Sequence, residues 1–225
     1  MRRVMAAVFV ASVLGTASAH AGSLELRVGG FTPLADSTLF LDNEDLFDTR
    51  EEDWKGVTAG LEYSWSTGRH TELGLHIDGF GTKLHTSDRH YARESGGEIR
   101  QTLELHTAPI GMTFRYVFGG RHARLRPYVG IGADVVYWEY QEYGAFRDPV
   151  TGRVVEHDEF FADGAVPAMH LNLGLRVRLT PDISLTGEVK VLAAGVEEMK
   201  DDWIGLGNEI DVSGSAATLG VHIRF

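Results

Sequence analysis

Three histidines stand among the polar residues of strand-like stretches: His76, His170 and His222. Imidazole nitrogen binds zinc and related ions, but a metal site needs several ligands that converge on one point. These histidines belong to the third, sixth and eighth stretches, which are not neighbours in a simple up-and-down order. We therefore expect hydrogen-bonded structural roles for them, with no metal and no cofactor.

The sequence offers little for nucleophilic catalysis. The chain has no cysteine, which excludes thiol catalysis, cysteine-ligated zinc, disulfides and a cysteine lipid anchor. His170 and Asn172 share a strand face because they are two residues apart, but no serine stands at the matching place as nucleophile. A Ser–His–acid arrangement assembled from separate stretches stays open, although the sequence favours a protein that is not an enzyme.

Acidic and basic residues alternate with apolar ones and nearly balance in sign. We expect them to point into the interior of the fold, where buried charges are tolerated when they are paired and hydrogen-bonded. This predicts an interior that is rigid and largely blocked by salt bridges; the competing interpretation is a narrow polar path for ions or small solutes. The predicted interior charge network contains Glu25, Arg27, Glu62, Asp78, Arg115, Asp134, Arg176, Arg178, Glu188, Lys190 and Arg224.

Eight stretches of the chain alternate in polarity with a period of two, which is typical of strands with one buried face. Asn172, for example, lies between Leu171 and Leu173. The stretches span 24–28, 57–65, 73–78, 108–118, 129–137, 169–179, 183–191 and 217–225. In the fourth stretch the alternation changes phase at Pro109, which we interpret as a β-bulge near the outer rim.

The connections between the stretches alternate in length. Short ones are expected at 66–71, 119–124 and 180–182, and long ones at 35–55, 85–100, 145–166 and 195–214. Outer-membrane barrels have short periplasmic turns and long external loops. The alternation therefore favours an eight-stranded antiparallel transmembrane barrel, with both termini in the periplasm, over a soluble β-sandwich.

The first residues have the features of a secretory signal peptide. Arg2 and Arg3 precede an apolar stretch from Val4 to about Leu14, and small residues at Ala19 and Ala21 fit cleavage after either one. This segment is too short for a transmembrane helix. We expect a signal peptide at 1–21 and one barrel domain at 22–225, in the bacterial outer membrane.

The charge balance bears on possible partners. The net charge of -11 is opposite in sign to that of a nucleic-acid binder, so nucleic acid is excluded as a partner. The first long connection is acidic and is expected to be solvated, although divalent ions there would bridge to lipopolysaccharide phosphates. Its acids are Asp36, Asp42, Glu44, Asp45, Asp48, Glu51, Glu52 and Asp53.

Aromatic residues cluster near strand ends, as in the aromatic girdles of barrels. Girdle positions on the periplasmic side are expected at Tyr63, Trp65, Tyr116, Phe118, Tyr128 and Phe225, and on the outer side at Tyr137, Trp138 and Tyr140.

Two segments carry a resemblance to a known group. The run 126–133, Arg-Pro-Tyr-Val-Gly-Ile-Gly-Ala, resembles the Pro-Tyr-x-Gly-x-Gly strand of the small OmpA/OmpX/OmpW-like outer-membrane barrels, and Thr113-Phe114-Arg115-Tyr116 resembles their aromatic strand ending. The last strand, which ends at Phe225, resembles their insertion signal. The resemblance implies outer-membrane lipid and lipopolysaccharide as surroundings and the barrel assembly machinery as a partner during biogenesis. Because a closed barrel has no free strand edge that demands a partner, we expect a monomer.

The resemblance identifies a fold group and no activity. We expect a structural or surface-interaction role through external loops, and the alternative is a narrow pore; a lipid A-modifying enzyme is less favoured. The best contact candidate is the connection 145–166, which carries Phe146, Asp158, Glu159, Phe160 and Phe161.

Overall fold

The computed structural model describes residues 22–34, 37–92, 96–120, 123–148, 151–198 and 208–225. The predicted signal peptide, with its cleavage after Ala19 or Ala21, lies outside these residues, as does Asp36.

Eight antiparallel strands close into one barrel. They are β1 (Gly22–Pro33), β2 (Gly56–Ser66), β3 (Thr71–Ala92), β4 (Glu98–Val117), β5 (Leu125–Arg147), β6 (Val154–Arg178), β7 (Ile183–Ala194) and β10 (Gly214–Arg224). Each pairs with the next in chain order, and β10 returns to β1, with Leu24 opposite Ile223. This confirms the eight-stranded up-and-down barrel; the soluble sandwich is wrong, because a single ring of strands encloses the interior.

The turns at one end of the barrel are short, as predicted. Residues 67–70, 118–124 and 179–182 connect β2 to β3, β4 to β5, and β6 to β7. In the second turn Gly119 has a φ of +84°, a conformation that glycine adopts without steric cost. Both described ends of the barrel chain lie at this same end, since Phe225 N–H donates to the Gly22 carbonyl.

At the opposite end, strands replace most of two predicted long loops. Strands β3 to β6 are 22, 20, 23 and 25 residues long, whereas about 9–11 residues suffice to cross a bilayer. The predicted long connections 85–100 and 145–166 are therefore mostly strand. We call the parts of β3–β6 that continue past the membrane the outer extension.

Smaller elements sit over the outer extension. Helix α1 (Thr38–Leu46) and a 3-10 turn (Glu51–Trp54) form the outer cap, which we define as residues 37–54. Two short strands, β8 (Val196–Glu198) and β9 (Glu209–Asp211), pair in the last connection. No helix in the described ranges has the length and apolar character needed to cross a membrane.

A belt of exposed apolar side chains surrounds the barrel at the level of the shorter strands. Leu173 is 65% exposed and Leu219 is 73% exposed, although both belong to regular strands. Apolar side chains facing outward from a closed barrel are stable in hydrocarbon, where the strands satisfy their own backbone hydrogen bonds. In β5 the last exposed apolar residue of this belt is Tyr137.

The predicted bulge at Pro109 is wrong. The pairing of β3 with β4 keeps one register on both sides of Pro109: Phe80 faces Thr107, and Ile77 faces Ile110. The odd-numbered side chains of β4 face inward on both sides of Pro109, from Leu103 to Arg115. The phase change in the sequence marks a change in what fills the barrel, from apolar at the outer end to polar at membrane level.

Candidate functional site: a lumen closed at two levels

The membrane-level lumen is filled by ion pairs, which we call the lumen network. At its centre Arg115 donates Nη1 to Glu62 Oε1 at 2.5 Å and Nη2 to Glu62 Oε2 at 2.8 Å. Arg27 donates to the same carboxylate at 3.2 Å and to both oxygens of Asp78 at 2.9 Å. Lys190 also contacts Asp78, at 2.8 Å, so opposite charges alternate across the lumen.

Glu188 ties this network to neighbouring strands. Its carboxylate accepts hydrogen bonds from Tyr128 Oη at 3.0 Å and from Asn172 Nδ2 at 2.7 Å, and it lies 3.4 Å from Arg27 and 3.5 Å from Arg115. Because the carboxylate has partners from several strands, its burial is compensated.

A second group lies toward the periplasmic end. Arg176 donates Nη1 to Glu72 Oε2 at 2.6 Å and lies 3.6 Å from Glu25, while Arg126 lies 3.7 Å from Glu72. Arg224 lines the periplasmic mouth beside Arg126. Ion pairs between side chains thus extend from the middle of the membrane to the end of the barrel with the short turns.

The structure brings together most of the charges that were predicted to interact. Arg178 and Arg224 are only half-buried near the rim, and Asp134 pairs with histidines instead of with the network. Sequence reasoning missed Glu72, Arg126 and Tyr128, and it placed Asn172 on the face of His170 without including it in the network. Each of the three lies an even number of residues from a predicted inward side chain on its own strand, so extending the alternation would have found them.

Two of the histidines meet in the lumen. His76 on β3 and His170 on β6 have ring centroids 5.1 Å apart, and Asp134 lies between them, 2.8 Å from His76 Nε2 and 2.5 Å from His170 Nδ1. The expectation that these histidines would not converge is wrong, because an eight-stranded barrel is narrow enough for opposite walls to touch. His222 takes no part in this His–Asp–His cluster.

An apolar core closes the outer end. Leu39, Phe40 and Trp54 of the outer cap are fully buried, and they pack with inward side chains of the extension. Trp54 lies 4.9 Å from Phe40 and 6.2 Å from Tyr140, measured between ring centroids. We call this cluster the outer core; its members include Phe31, Phe80, Leu103, Leu105, Val136, Trp138, Ile210 and Val212.

Three aromatic residues that were predicted as girdle residues point inward. Trp138 and Tyr140 belong to the outer core and Tyr128 to the lumen network, whereas Tyr137 is 52% exposed as expected. The physical reason is strand parity: from Arg126 to Glu142 the even-numbered residues of β5 face inward, and the odd-numbered residues face outward.

One carboxyl is buried inside the outer core, above the belt. Glu142 is 1% exposed and accepts a hydrogen bond from Tyr140 Oη at 2.9 Å; Asn43 of α1 donates to the same hydroxyl. Burial raises the pKa of the Glu142 carboxyl to about 7, against the lowering effect of the Tyr140 hydrogen bond. Asn43 of the outer cap is therefore linked, through Tyr140, to a carboxyl whose pKa is near neutral.

The outward face of the extension is polar. Lys83 Nζ lies 2.7 Å from Glu104 and 2.6 Å from Tyr143 Oη, and all three side chains point away from the outer core. Polar groups outside and apolar groups inside reverse the arrangement of the lipid belt, as expected for strands that stand in water.

The predicted contact segment 145–166 lies at the tip of this extension. Phe146 and Phe160 stack edge to face at 4.9 Å, while Phe161 is 50% exposed on the outer surface. Asp158 and Glu159 flank them on β6. The described part of the segment is thus a hairpin end in which Phe161 is the exposed phenylalanine, and not a loose loop.

Comparison with known proteins agrees with this architecture. The model of the outer membrane protein beta-barrel domain family matches residues 7–225. Among solved structures, OprG from Pseudomonas aeruginosa is similar with 12% identity and a TM-score of 0.54, over 92% of this chain and 97% of that chain. No curated protein matches the chain in sequence.

Two further structures show how varied the proteins with this fold are. Neisserial surface protein A has 11% identity and a TM-score of 0.51, over 91% of this chain and 97% of that chain. The outer membrane protease OmpT from Escherichia coli has 9% identity and a TM-score of 0.50, over the same shares. These likenesses concern the fold, and the matched residues place the chain in the bacterial outer membrane as a member of the outer membrane protein beta-barrel domain family.

Proposed function

We propose that this protein is a closed, non-catalytic barrel that acts through its outer surface, as a structural or contact protein of the cell envelope. The observation that carries the proposal is the double closure of the lumen. Ion pairs fill it at membrane level, and the outer core fills it above.

The alternative, a narrow pore, finds less support. A conducting path needs mobile water or loosely held charges, whereas Arg115 and Glu62 are each 1% exposed and doubly hydrogen-bonded to one another. Above them Leu39 and Phe40 are fully buried. A solute would have to break both layers in succession.

The geometry also argues against a lipid-modifying enzyme. A site of that kind should open to the bilayer, but the His170 side chain is fully buried in the lumen. Its neighbours there are Asp134 and Thr113, and Thr113 Oγ1 also lies 3.3 Å from His76. This hydroxyl is held between two imidazoles and faces no lipid.

The surface role is placed at the outer extension and the outer cap. Exposed acids of the cap, such as Glu51, Glu52 and Asp53, lie at the outer end, where the outer leaflet carries lipopolysaccharide. We propose that Ca²⁺ bridges these carboxylates to lipopolysaccharide phosphates, because carboxylate and phosphate oxygens are the ligands that Ca²⁺ prefers. The terminal strand with Phe225 is proposed as the signal for the barrel assembly machinery, and the barrel as a monomer.

Solute efflux from proteoliposomes tests the closed barrel. We expect no efflux of ions or small sugars through the wild-type protein. We expect the same for a variant with 37–54 replaced by a Gly-Ser linker, because the lumen network remains. Efflux through the wild type would overturn the proposal, and efflux through the linker variant alone would make the cap the single closure.

Thermal unfolding in lipopolysaccharide vesicles tests the surface contact. We expect Ca²⁺ to raise the Tm of the wild type and to have no effect on the triple variant Glu51→Gln, Glu52→Gln, Asp53→Asn. Asp182→Asn is the matched control, because Asp182 is exposed at the periplasmic end. An equal Ca²⁺ effect in all three proteins would refute bridging by the cap.

A further inference from the structure

We propose that the His–Asp–His cluster is a binding site for a divalent first-row transition ion such as Zn²⁺, with His76, Asp134 and His170 as ligands. One ligand atom from each residue lies within 4.8 Å of the others. The two imidazole side chains are fully buried, and the Asp134 side chain is 1% exposed. Two imidazoles and one carboxylate form a donor set suited to such ions.

The hydrogen bonding of the cluster is incomplete. His76 Nε2 lies 2.8 Å from Asp134 Oδ1, yet the pair does not have hydrogen-bond geometry, and within the described residues neither atom has another hydrogen-bond partner. Buried polar atoms are rarely left this way, since each one forfeits its hydration. An ion between the two atoms would satisfy both.

The charge of the cluster is also uncompensated. Within the described ranges, the ion-pair partners of Asp134 are only the two imidazoles. Two basic side chains of the lumen network, Arg27 and Lys190, are held by Asp78 at 2.8 Å each and do not pair with Asp134. A buried carboxylate needs a neighbouring positive charge, which a bound cation supplies here.

Thr113 orients both imidazoles for binding. Its Oγ1 lies 3.3 Å from His76 Nδ1 and 3.0 Å from His170 Nε2, the nitrogens that face away from Asp134. Without an ion, His170 Nδ1–H donates to Asp134. When an ion replaces that proton, the hydroxyl oxygen, with its two lone pairs, accepts the N–H of both rings. That arrangement leaves His76 Nε2 and His170 Nδ1 unprotonated, as metal ligands must be.

Two glycines make room for the side chains of the cluster, and a small cavity lies beside Asp134. Gly111 and Gly132 face the cluster, and a Cβ there would overlap Asp134 and His170 respectively. A cavity of about 30 Å³ borders Asp134 but neither histidine, and it is large enough for one water molecule beside the carboxylate. Tetrahedral bonds of about 2.0–2.2 Å place ligand atoms roughly 3.3 Å apart. The ligands, now 2.5 and 2.8 Å from one another, therefore spread when the ion enters.

The competing explanation is a cluster in which a protonated histidine supplies the positive charge. The two explanations differ in metal content, which we propose to measure on protein refolded into detergent with Co²⁺ or Zn²⁺. Loading during refolding is necessary, because the lumen network and the outer core seal the folded barrel. Folding is checked by heat-dependent migration in SDS gels, and loose metal is removed by EDTA and gel filtration.

We expect about one ion per chain, with visible Co²⁺ absorption typical of nitrogen and oxygen ligands. His76→Gln and His170→Gln should lose the ion, and Thr113→Val should bind it roughly 10–100-fold more weakly. His222→Gln is the matched control and should retain it, since His222 is equally buried in the lumen but lies outside the cluster. Wild-type protein without stoichiometric metal would overturn the site, as would equal loss in His222→Gln.

The wild-type protein gives a second readout that needs no variant. Its Tm should be higher after refolding with Zn²⁺ than after refolding with EDTA, because the ion binds the folded state alone. An unchanged Tm together with absent metal would assign the cluster to hydrogen bonding. Neither measurement reads permeability or surface contact, so this site stands or falls separately from the proposed function.

Discussion

Arg115 on β4 and Glu62 on β2 meet over the inner face of β3 with two parallel hydrogen bonds, of 2.5 and 2.8 Å, and each side chain is 1% exposed. Such a pair is costly to break from one side, because the remaining charge stays buried. We predict that Glu62→Gln lowers the free energy of unfolding by about 3–5 kcal/mol. Urea unfolding in lipid vesicles measures it.

The exposed pair of Lys83 and Glu104 supplies the control, since Lys83→Met should hardly change the free energy of unfolding. Equal effects of Glu62→Gln and Lys83→Met would show that the lumen network is hydrated and loosely held.

The boundary between the lipid belt and the outer extension can be located by arginine substitution. Leu173→Arg should cost roughly 2–4 kcal/mol because its side chain faces hydrocarbon. Phe161→Arg, on the same strand and 50% exposed, should cost little because the extension stands in water. Unfolding of both variants in lipid vesicles measures these free energies. A large loss of stability in Phe161→Arg would show that the membrane extends farther toward the outer end than we infer.

The outer cap should open without unfolding the barrel. Trp54→Ala removes a fully buried ring, which typically costs about 3–5 kcal/mol. Because the lost stabilisation belongs to the packing of the cap, proteolysis within 37–54 should become faster. The heat-dependent gel migration that reports barrel folding should be unchanged. Leu41→Ala, on the exposed face of α1, is the control and should have no effect. Loss of barrel folding in Trp54→Ala would instead make the cap part of the folding core.

The stability of the outer cap should depend on pH through Glu142. The pKa of its carboxyl is raised to about 7 in the folded state, from about 4.3 when unfolded. The folded state therefore binds the proton more tightly, and the stabilisation is complete below pH 4.3 and lost as the pH rises through 7. Hydrogen exchange of the cap should be slower at pH 5 than at pH 8, after correction for intrinsic rates. In Glu142→Gln this difference should disappear; its persistence would assign the pH dependence to another group.

The sequence predicted the inner and outer faces of the strands best at membrane level, where outward side chains are apolar and inward side chains are charged. At membrane level, apolar side chains face lipid and charges face the lumen, and Arg115, Glu62 and Glu188 lie on the inner face that the alternation indicates. In the outer extension the same strands stand in water, and their inward side chains, such as Leu103 and Leu105, are apolar. Periodicity alone does not tell which side of a strand meets lipid, and the bulge inferred at Pro109 came from that ambiguity.

The His–Asp–His cluster was hidden for a different reason. His76 and His170 lie on strands separated by two others, and their contact depends on the diameter of the closed barrel. A search by neighbouring strands misses it, because contacts across a lumen follow no sequence spacing. The glycines Gly111 and Gly132 were a partial signal, since Asp134 and His170 of the neighbouring strands lean over them.

The most direct test of the account is single-channel conductance of the refolded protein in a planar bilayer, on material shown to be folded. A closed barrel predicts a silent membrane for the wild type, and equally for Arg176→Glu and Glu188→Lys where these variants fold. Reproducible conductance steps in the wild type, with ion selectivity that changes in either variant, would contradict the account and make the lumen a pore.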